Sequence, residues 1–208
     1  MMKKLVIFVV VAVIISFTIS AYAGWPIYSK PEFRGRVIDA ETKEPIEGAV
    51  VVVLYEKWEF GGPGGGNTLP MDAKETLTDK DGEFYFTAYR TLIGPLSRVS
   101  DVSLIIFKPG YMSVTRIDGI NIPEEKYFAV KKDMVGKEGE IAHVDRWERM
   151  FTYKGPLGEV ALKKAKTREE KLRTIPSPPT DYTSKQLPLF IKIINEEGNN
   201  LGLKGGYK

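Results

Sequence analysis

The stretch Ala49 to Tyr55, AVVVVLY, admits few folds. Four successive valines lose side-chain freedom in a helix and suit a pleated surface. An apolar run without alternation is what a strand covered on both faces requires. Ahead of it, Phe33 to Asp39 alternates, with Phe33, Gly35 and Val37 toward one face and Arg34, Arg36 and Ile38 toward the other, the mark of a half-buried strand. Ala40 to Glu44 turns between them, Pro45 fixes φ as the chain re-enters, and Gly48 permits a bulge or a close crossing. The two strands read as a hairpin about one turn. A second hairpin is expected from Thr76 to Phe86, TLTDKDGEFYF, where Asp79 and Asp81 accept from nearby amides and Gly82 supplies positive φ. Alternation there puts Phe84 and Phe86 on one face and Tyr85 on the other.

Further along, Val102 to Lys108 is another β-rich run, ended by the turn pair Pro109-Gly110, and Tyr111 to Ile117 returns as its neighbour. Gly158 to Lys163, GEVALK, supplies a last strand. Between these, Gly61 to Gly66, GGPGGG, has no side chains to pack and reads as an exposed loop. Tyr89 to Asp101 reads as an insertion, and Asp118 to Pro156, with short apolar clusters, as an elaborated connection. Many short strands separated by turns call for two sheets packed face to face.

The chain begins with a secretory pattern. Lys3 and Lys4 precede an apolar run from Leu5 to about Ile19, and Ala21-Tyr22-Ala23 has the small-x-small form of a cleavage site. That run falls short of the roughly 20 residues a spanning helix needs. Residues 1–23 are therefore expected to leave as a signal peptide, and the mature chain, starting at Gly24, to be periplasmic or extracellular without stable membrane insertion. Residues 24–31, with Pro26 and Pro31, form an extended lead-in, residues 32–164 the sandwich with its insertions, and residues 165–208 a helical extension. In that extension Thr167-Arg-Glu-Glu170 has the capping-box form, opening a short helix that Pro176 to Pro179 must stop. Ser184 to Glu197 sets Leu187, Phe190, Ile191 and Ile194 at helical spacing, with Pro188 tolerated only in the first turn. This stripe needs a surface, either its own sandwich or a partner. A sandwich that closes its core with its own two sheets is expected to survive its loss.

The order G-x-V-x-D-x-x-T-x-x-P-I-x-G-A-x-V from Gly35 to Val51, then T-x-T-D-x-D-G-x-F-x-F from Thr76 to Phe86 and K-P-G-Y from Lys108 to Tyr111, resembles the carboxypeptidase regulatory-like family. The resemblance runs from Phe33 to Ile117 and extends to Lys163 if GEVALK closes the fold. It implies a mainly β, prealbumin-like (transthyretin-like, Ig-like) sandwich of about seven strands, here with a short α-helical C-terminal extension. Three features depart from the family pattern: the Gly-rich insertion, the long segment from Asp118 to Pro156, and Lys43, which stands where the family commonly has Gly after the turn Thr. Metallocarboxypeptidases carry a similar domain beside a catalytic one; only the accessory is present here.

Several chemistries are excluded by the residues themselves. With no cysteine among 208 residues there is no disulfide, thiolate site, thiol nucleophile or lipoprotein anchor. The formal charge of +3 loses Lys3 and Lys4 with the leader and falls to +1, too small to imply nucleic acid as partner. Gly61 to Thr68 misses a phosphate loop because Asn67 stands where Lys is needed. Asp79 and Asp81 open no calcium loop, since the twelfth position is Arg90 rather than Glu. His143, the sole histidine, flanked by Glu140 and Asp145, supplies neither a zinc set nor a triad. Catalytic, cofactor and metal sites are therefore expected to be absent.

What remains is binding. Trp25, Trp58, Phe60, Trp147 and Tyr153 lie outside the alternating core pattern and suit either core packing, a flat platform for sugar rings or an anchor for a protein. The chain reads as an exported, non-catalytic module with a binding or structural role. The residues that would contact a ligand or partner are Trp58, Phe60, Trp147, Leu187, Phe190, Ile191 and Ile194. The partner is another envelope or extracellular protein. The alternatives are a carbohydrate-binding module using exposed aromatics, and an accessory to a separate peptidase or an unrecognised enzyme.

Overall fold

The computed structural model describes residues 27–121, 129–130, 151–154, 159–179, 182 and 185–207. Strands β1 (Ile27–Lys30), β2 (Phe33–Asp39), β3 (Val50–Phe60), β4 (Gly66–Leu77), β5 (Glu83–Phe86), β6 (Tyr89–Leu92), β7 (Ser97–Phe107), β8 (Val114–Asn121), β9 (Ala129–Val130), β10 (Phe151–Lys154) and β11 (Glu159–Leu162) precede helices α1 (Arg168–Thr174) and α2 (Pro188–Asn200). One sheet has the order β10-β11-β2-β5 and the other β4-β3-β7-β8-β9. All pairings are antiparallel except β11 with β2. Val37, Phe84, Phe86, Val160 and Leu162 of the first sheet meet Val51, Val53, Tyr55, Leu104 and Ile106 of the second in one core. The fold is a β-sandwich, as the strand pattern requires.

Among the described residues the strands exceed the expected seven: β9 and β10 add an edge to each sheet, and the first sheet is longer than its motifs. β1 and β6 form a two-stranded ladder in which Lys30 faces Tyr89; three residues on from Lys30 and three back from Tyr89, Phe33 faces Phe86 in the β2–β5 ladder. The register is the same, so these are one antiparallel ribbon broken at Pro31, which has no N–H to donate. Thus part of the lead-in, and part of the segment read as an insertion after Tyr89, is sandwich.

The two expected hairpins are corrected. β2 and β3 lie in different sheets, and so do β4 and β5. The turn chemistry is as expected of Asp79 and Gly82 but not of the Asp81 side chain, which takes no amide among the described residues: Asp79 Oδ1 accepts the N–H groups of Asp81 and Glu83, each at 2.9 Å, and Gly82 has φ 72°. Local chemistry of this kind reverses the chain without deciding which sheet takes each arm. Here β4 pairs along its whole length with β3, from Leu77 opposite Val50 to Gly66 opposite Phe60. Both turns are therefore arches between sheets, tied together by Val37 N–H donating to Gly82 O at 2.8 Å and Gly48 N–H to Thr78 O at 2.9 Å.

The central strand β3 is buried on both faces. Val51, Val53 and Tyr55 point into the sandwich, while Val50, Val52 and Leu54 point outward and are covered, with Ile105 and Phe107, by Tyr182, Leu187, Phe190 and Ile194. The extension thus forms a third layer with a second apolar core. This decides which of the two surfaces left open for the stripe it takes. Leu187, Phe190 and Ile194 are spent on the chain's own sheet and are not partner contacts, and Ile191 is half-buried against the same cluster. The inner core is made by the two sheets, the β1–β6 ladder and their connections, and the extension adds a second core on the outer face of β3 and β7. α2 also starts later than the stripe suggests, at Pro188, because a proline turns the residue before it away from helical geometry. α1 carries the expected capping box, with Glu170 N–H to Thr167 Oγ1 at 3.1 Å and Thr167 N–H to Glu170 Oε2 at 3.0 Å.

Candidate binding surface

Past Tyr55, both partners of β3 slip register. Slips of this kind sharpen the local twist and re-aim side chains. Beyond them β3 and β4 run on as a ribbon with the start of β7 alongside, closed by the glycine-rich turn in which Gly61 N–H donates to Gly65 O at 2.8 Å. Trp58 stands between Thr68 on β4 and Arg98 on β7. The Arg98 guanidinium carbon lies 4.7 Å from the centroid of the Trp58 ring, a cation–π contact. The Phe60 ring is 6.3 Å from that of Trp58 and tilted by 42°. Opposite Phe60, Gly66 leaves room for the indole: a Cβ there would fall 2.3 Å from Trp58 Cζ2. Trp58 is half-buried, whereas Phe60 is 47% exposed.

The other face of the ribbon is ionic. Lys57 is paired with Glu59, and Ser97 Oγ donates to Glu59 Oε2 at 3.1 Å. The Lys57 hydrogen bond first, and that of Ser97 next, hold the Glu59 carboxyl below its ordinary range. Lys57 itself faces Leu69 and Val99 across the two ladders.

The ribbon therefore brings together two of the residues singled out in the sequence, Trp58 and Phe60. Trp147, His143 and Trp25 lie outside the described residues. Arg98 and Gly66 belong to the same surface but carry no local signal; only the pairing of β7 and β4 with β3 brings them to Trp58.

Two polar clusters elsewhere serve the fold. Asp39 is buried, and its Oδ1 accepts the N–H groups of Glu41 at 2.8 Å and Thr42 at 3.0 Å. Its Oδ2 takes the Tyr111 hydroxyl and the Lys164 ammonium, each at 3.1 Å. Burial alone would push this carboxyl up; the Thr42 and Glu41 amides, with Lys164 and Tyr111, outweigh it and bring the pKa to about 2. Deep in the sandwich, Tyr28, Tyr55 and Tyr89 form an aromatic trio, Tyr55 stacked on Tyr89 at 4.2 Å. The buried Tyr55 hydroxyl has no hydrogen-bond partner among the described residues and is pushed up by burial, then by Asp72 and Tyr89. Among the described residues no three His, Cys, Asp or Glu side chains gather as a metal site, and no helix is long and apolar enough to cross a membrane.

No family model and no curated protein matches the chain. Among solved structures it is similar to a 3-chlorocatechol 1,2-dioxygenase from Rhodococcus opacus 1CP, at 18% identity over 66% of this chain and 61% of that one, with a TM-score of 0.30. A 9R-lipoxygenase from Cyanothece PCC8801 is similar at 12% identity over 48% of this chain, with a TM-score of 0.21. The chain spans 61% of the first protein and 12% of the second. Neither likeness bears on what this chain does.

Proposed function

We propose that this protein is an exported, non-catalytic β-sandwich module that binds another component of the cell envelope or its surroundings through the end of the sandwich bearing Trp58 and Phe60. The observation that carries this reading is the β3–β4 ribbon itself. It runs on past the tyrosine trio and displays Phe60 beside a guanidinium-capped Trp58, an arrangement that two-sheet packing does not need. The leader pattern of residues 1–23 and the carboxypeptidase regulatory-like motifs between Gly35 and Tyr111 support export and an accessory role. The test has two parts. Fractionation should find a chain beginning at Gly24 outside the cytoplasm, and pull-down with that chain from envelope extract should recover a partner that Phe60→Ala and Trp58→Ala lose. A full-length chain held in the cytoplasm, or recovery indifferent to both substitutions, would sink the reading.

A carbohydrate ligand is the second reading, favoured by the Trp58–Phe60 pair, since aromatic faces suit sugar rings. It requires quenching of tryptophan emission by a polysaccharide, abolished in Phe60→Ala. An enzymatic role requires turnover sensitive to a chelator or to His143→Ala.

A further inference from the structure

Among the described residues eleven large apolar side chains are exposed; five of them, Leu77, Tyr85, Leu189, Leu203 and Tyr207, are scattered, and the other six gather. Ile27, Phe60, Leu69, Leu92, Leu96 and Val99 are all at least 37% exposed, with Leu92 at 78%. They sit at one end of the sandwich. Ile27 faces Leu92 at the end of the β1–β6 ladder, Leu69 and Val99 flank Lys57, and the Phe60 N–H donates to Leu96 O at 3.0 Å. An apolar gathering of this size on a protein surface marks an interaction site.

The charge at this end has one sign to spare. Among the described residues Arg98 has only the Trp58 face as its partner and Arg90 only Ser29 Oγ, at 3.2 Å; neither meets a carboxylate. The nearby described carboxylates are spent, Glu56 buried and Glu59 paired with Lys57. A guanidinium stacked on an indole keeps its N–H edge free for an anion.

We infer that the end of the sandwich formed by the β3–β4 turn, the start of β7 and the β1–β6 ladder docks on an anionic phospholipid surface. Phe60, Leu92 and Leu96 enter the interfacial region, and Arg90 and Arg98 meet lipid phosphates. Side chains borne on turns and strand ends, aromatic and aliphatic with a basic rim, match the interface between hydrocarbon and headgroups. The inference names a partner for the same end assigned above, but its test does not require export.

The described fold begins at Ile27, so a chain starting at Gly24 carries all of it. This chain should sediment with vesicles of equal parts phosphatidylglycerol and phosphatidylcholine, release as salt rises, and leave pure phosphatidylcholine largely unbound. Arg98→Gln should lower partitioning about fivefold, the worth of one basic side chain near a charged bilayer. Leu92→Asp with Leu96→Asp should abolish binding while leaving the melting curve in place, since both side chains are exposed. Absence of binding to the anionic vesicles overturns the inference, as does binding that the arginine and aspartate variants do not alter. Capture by soluble polygalacturonate without vesicle binding overturns it too, assigning the basic rim to a glycan. Failed export with intact vesicle binding would strike the functional reading and leave this one standing.

Discussion

Both oxygens of the Glu75 carboxylate, on β4, accept backbone N–H groups of the first turn of α2, from Leu189 at 2.6 Å and Phe190 at 2.8 Å. The residue before the helix, Leu187, has no capping oxygen, and Pro188 has no N–H to satisfy. A strand of the sandwich thus supplies both the missing acceptors and a negative charge at the positive end of the helix dipole. Glu75→Ala is expected to cost about 1–2 kcal/mol, read as a lowered urea midpoint with an unchanged slope. Glu75→Gln, which keeps one acceptor, should recover part of it.

Removing the extension should cost far more. Truncation after Ser177 uncovers Val50, Val52, Leu54, Ile105 and Phe107, all fully or almost fully buried in the intact chain. Each such side chain returned to water forfeits roughly 1.5–3 kcal/mol, and the sum is comparable with the whole stability of a small domain. The shortened chain is expected to unfold or aggregate. The milder variant Phe190→Ala should fold with a loss of about 3–5 kcal/mol. A truncated chain that stays soluble with an unchanged melting temperature would mean the third layer is ornamental.

The apolar stripe of α2 was legible in the sequence, and so was the double burial of β3, because both are periodicities a chain carries in itself. Which surface the stripe covers was not, since the outer face of β3 shows its need for cover only once β3 is known to be central. The chemistry of the Asp79–Gly82 turn was likewise readable, while its role as an arch depends on the competition of β3 and β2 for the arms on either side. The part of β4 ahead of Thr76 was invisible for a related reason. Of its residues only Ala73 is buried, so the strand exists through its ladder with β3 rather than through its own side chains. At the candidate surface, Trp58 and Phe60 stood out as aromatics off the core pattern, whereas Arg98 and Gly66 reach Trp58 only through pairing of strands remote in sequence.

Acid should loosen the arch held by Asp39. Its folded pKa of about 2 lies below the ordinary value near 3.9. A depressed carboxyl contributes stability that is complete above its unfolded pKa and disappears as pH falls through the folded one. The contribution is on the order of 2 kcal/mol, lost between roughly pH 5 and pH 2. Glu59 and Glu170 are also lowered, so the wild-type curve alone does not isolate Asp39. The difference between wild type and Asp39→Asn does: urea midpoints of the two should converge as pH drops through this window. A constant gap from pH 6 to pH 2 would show that Asp39 acts by shape rather than by charge.

The two arches contain a pair of left-handed residues for which substitution should act in opposite directions. Lys43 has φ 63°, the one non-glycine among the described residues with positive φ. A side chain there costs about 1–2 kcal/mol of strain. The Lys43 ammonium recovers some of it by donating to Ala40 O at 2.6 Å, on an exposed turn where such a bond is worth little. Lys43→Gly relieves the strain, adds unfolded-chain entropy and loses that bond, for a net gain of a few tenths to about 1 kcal/mol. Gly82, with φ 72°, is the converse. A Cβ there would lie 2.4 Å from Val37 O, the carbonyl that accepts the Ile46 N–H. Neither β2 nor the first arch can retreat without breaking that bond and the one from Val37 N–H to Gly82 O. Gly82→Ala therefore adds a backbone collision to the strain and should cost about 3 kcal/mol or more. Thermal melts of the two variants, run beside wild type, should fall on opposite sides of it. Destabilisation by Lys43→Gly would show that the bond to Ala40 outweighs the strain, and a neutral Gly82→Ala would show that the arches are free to move apart.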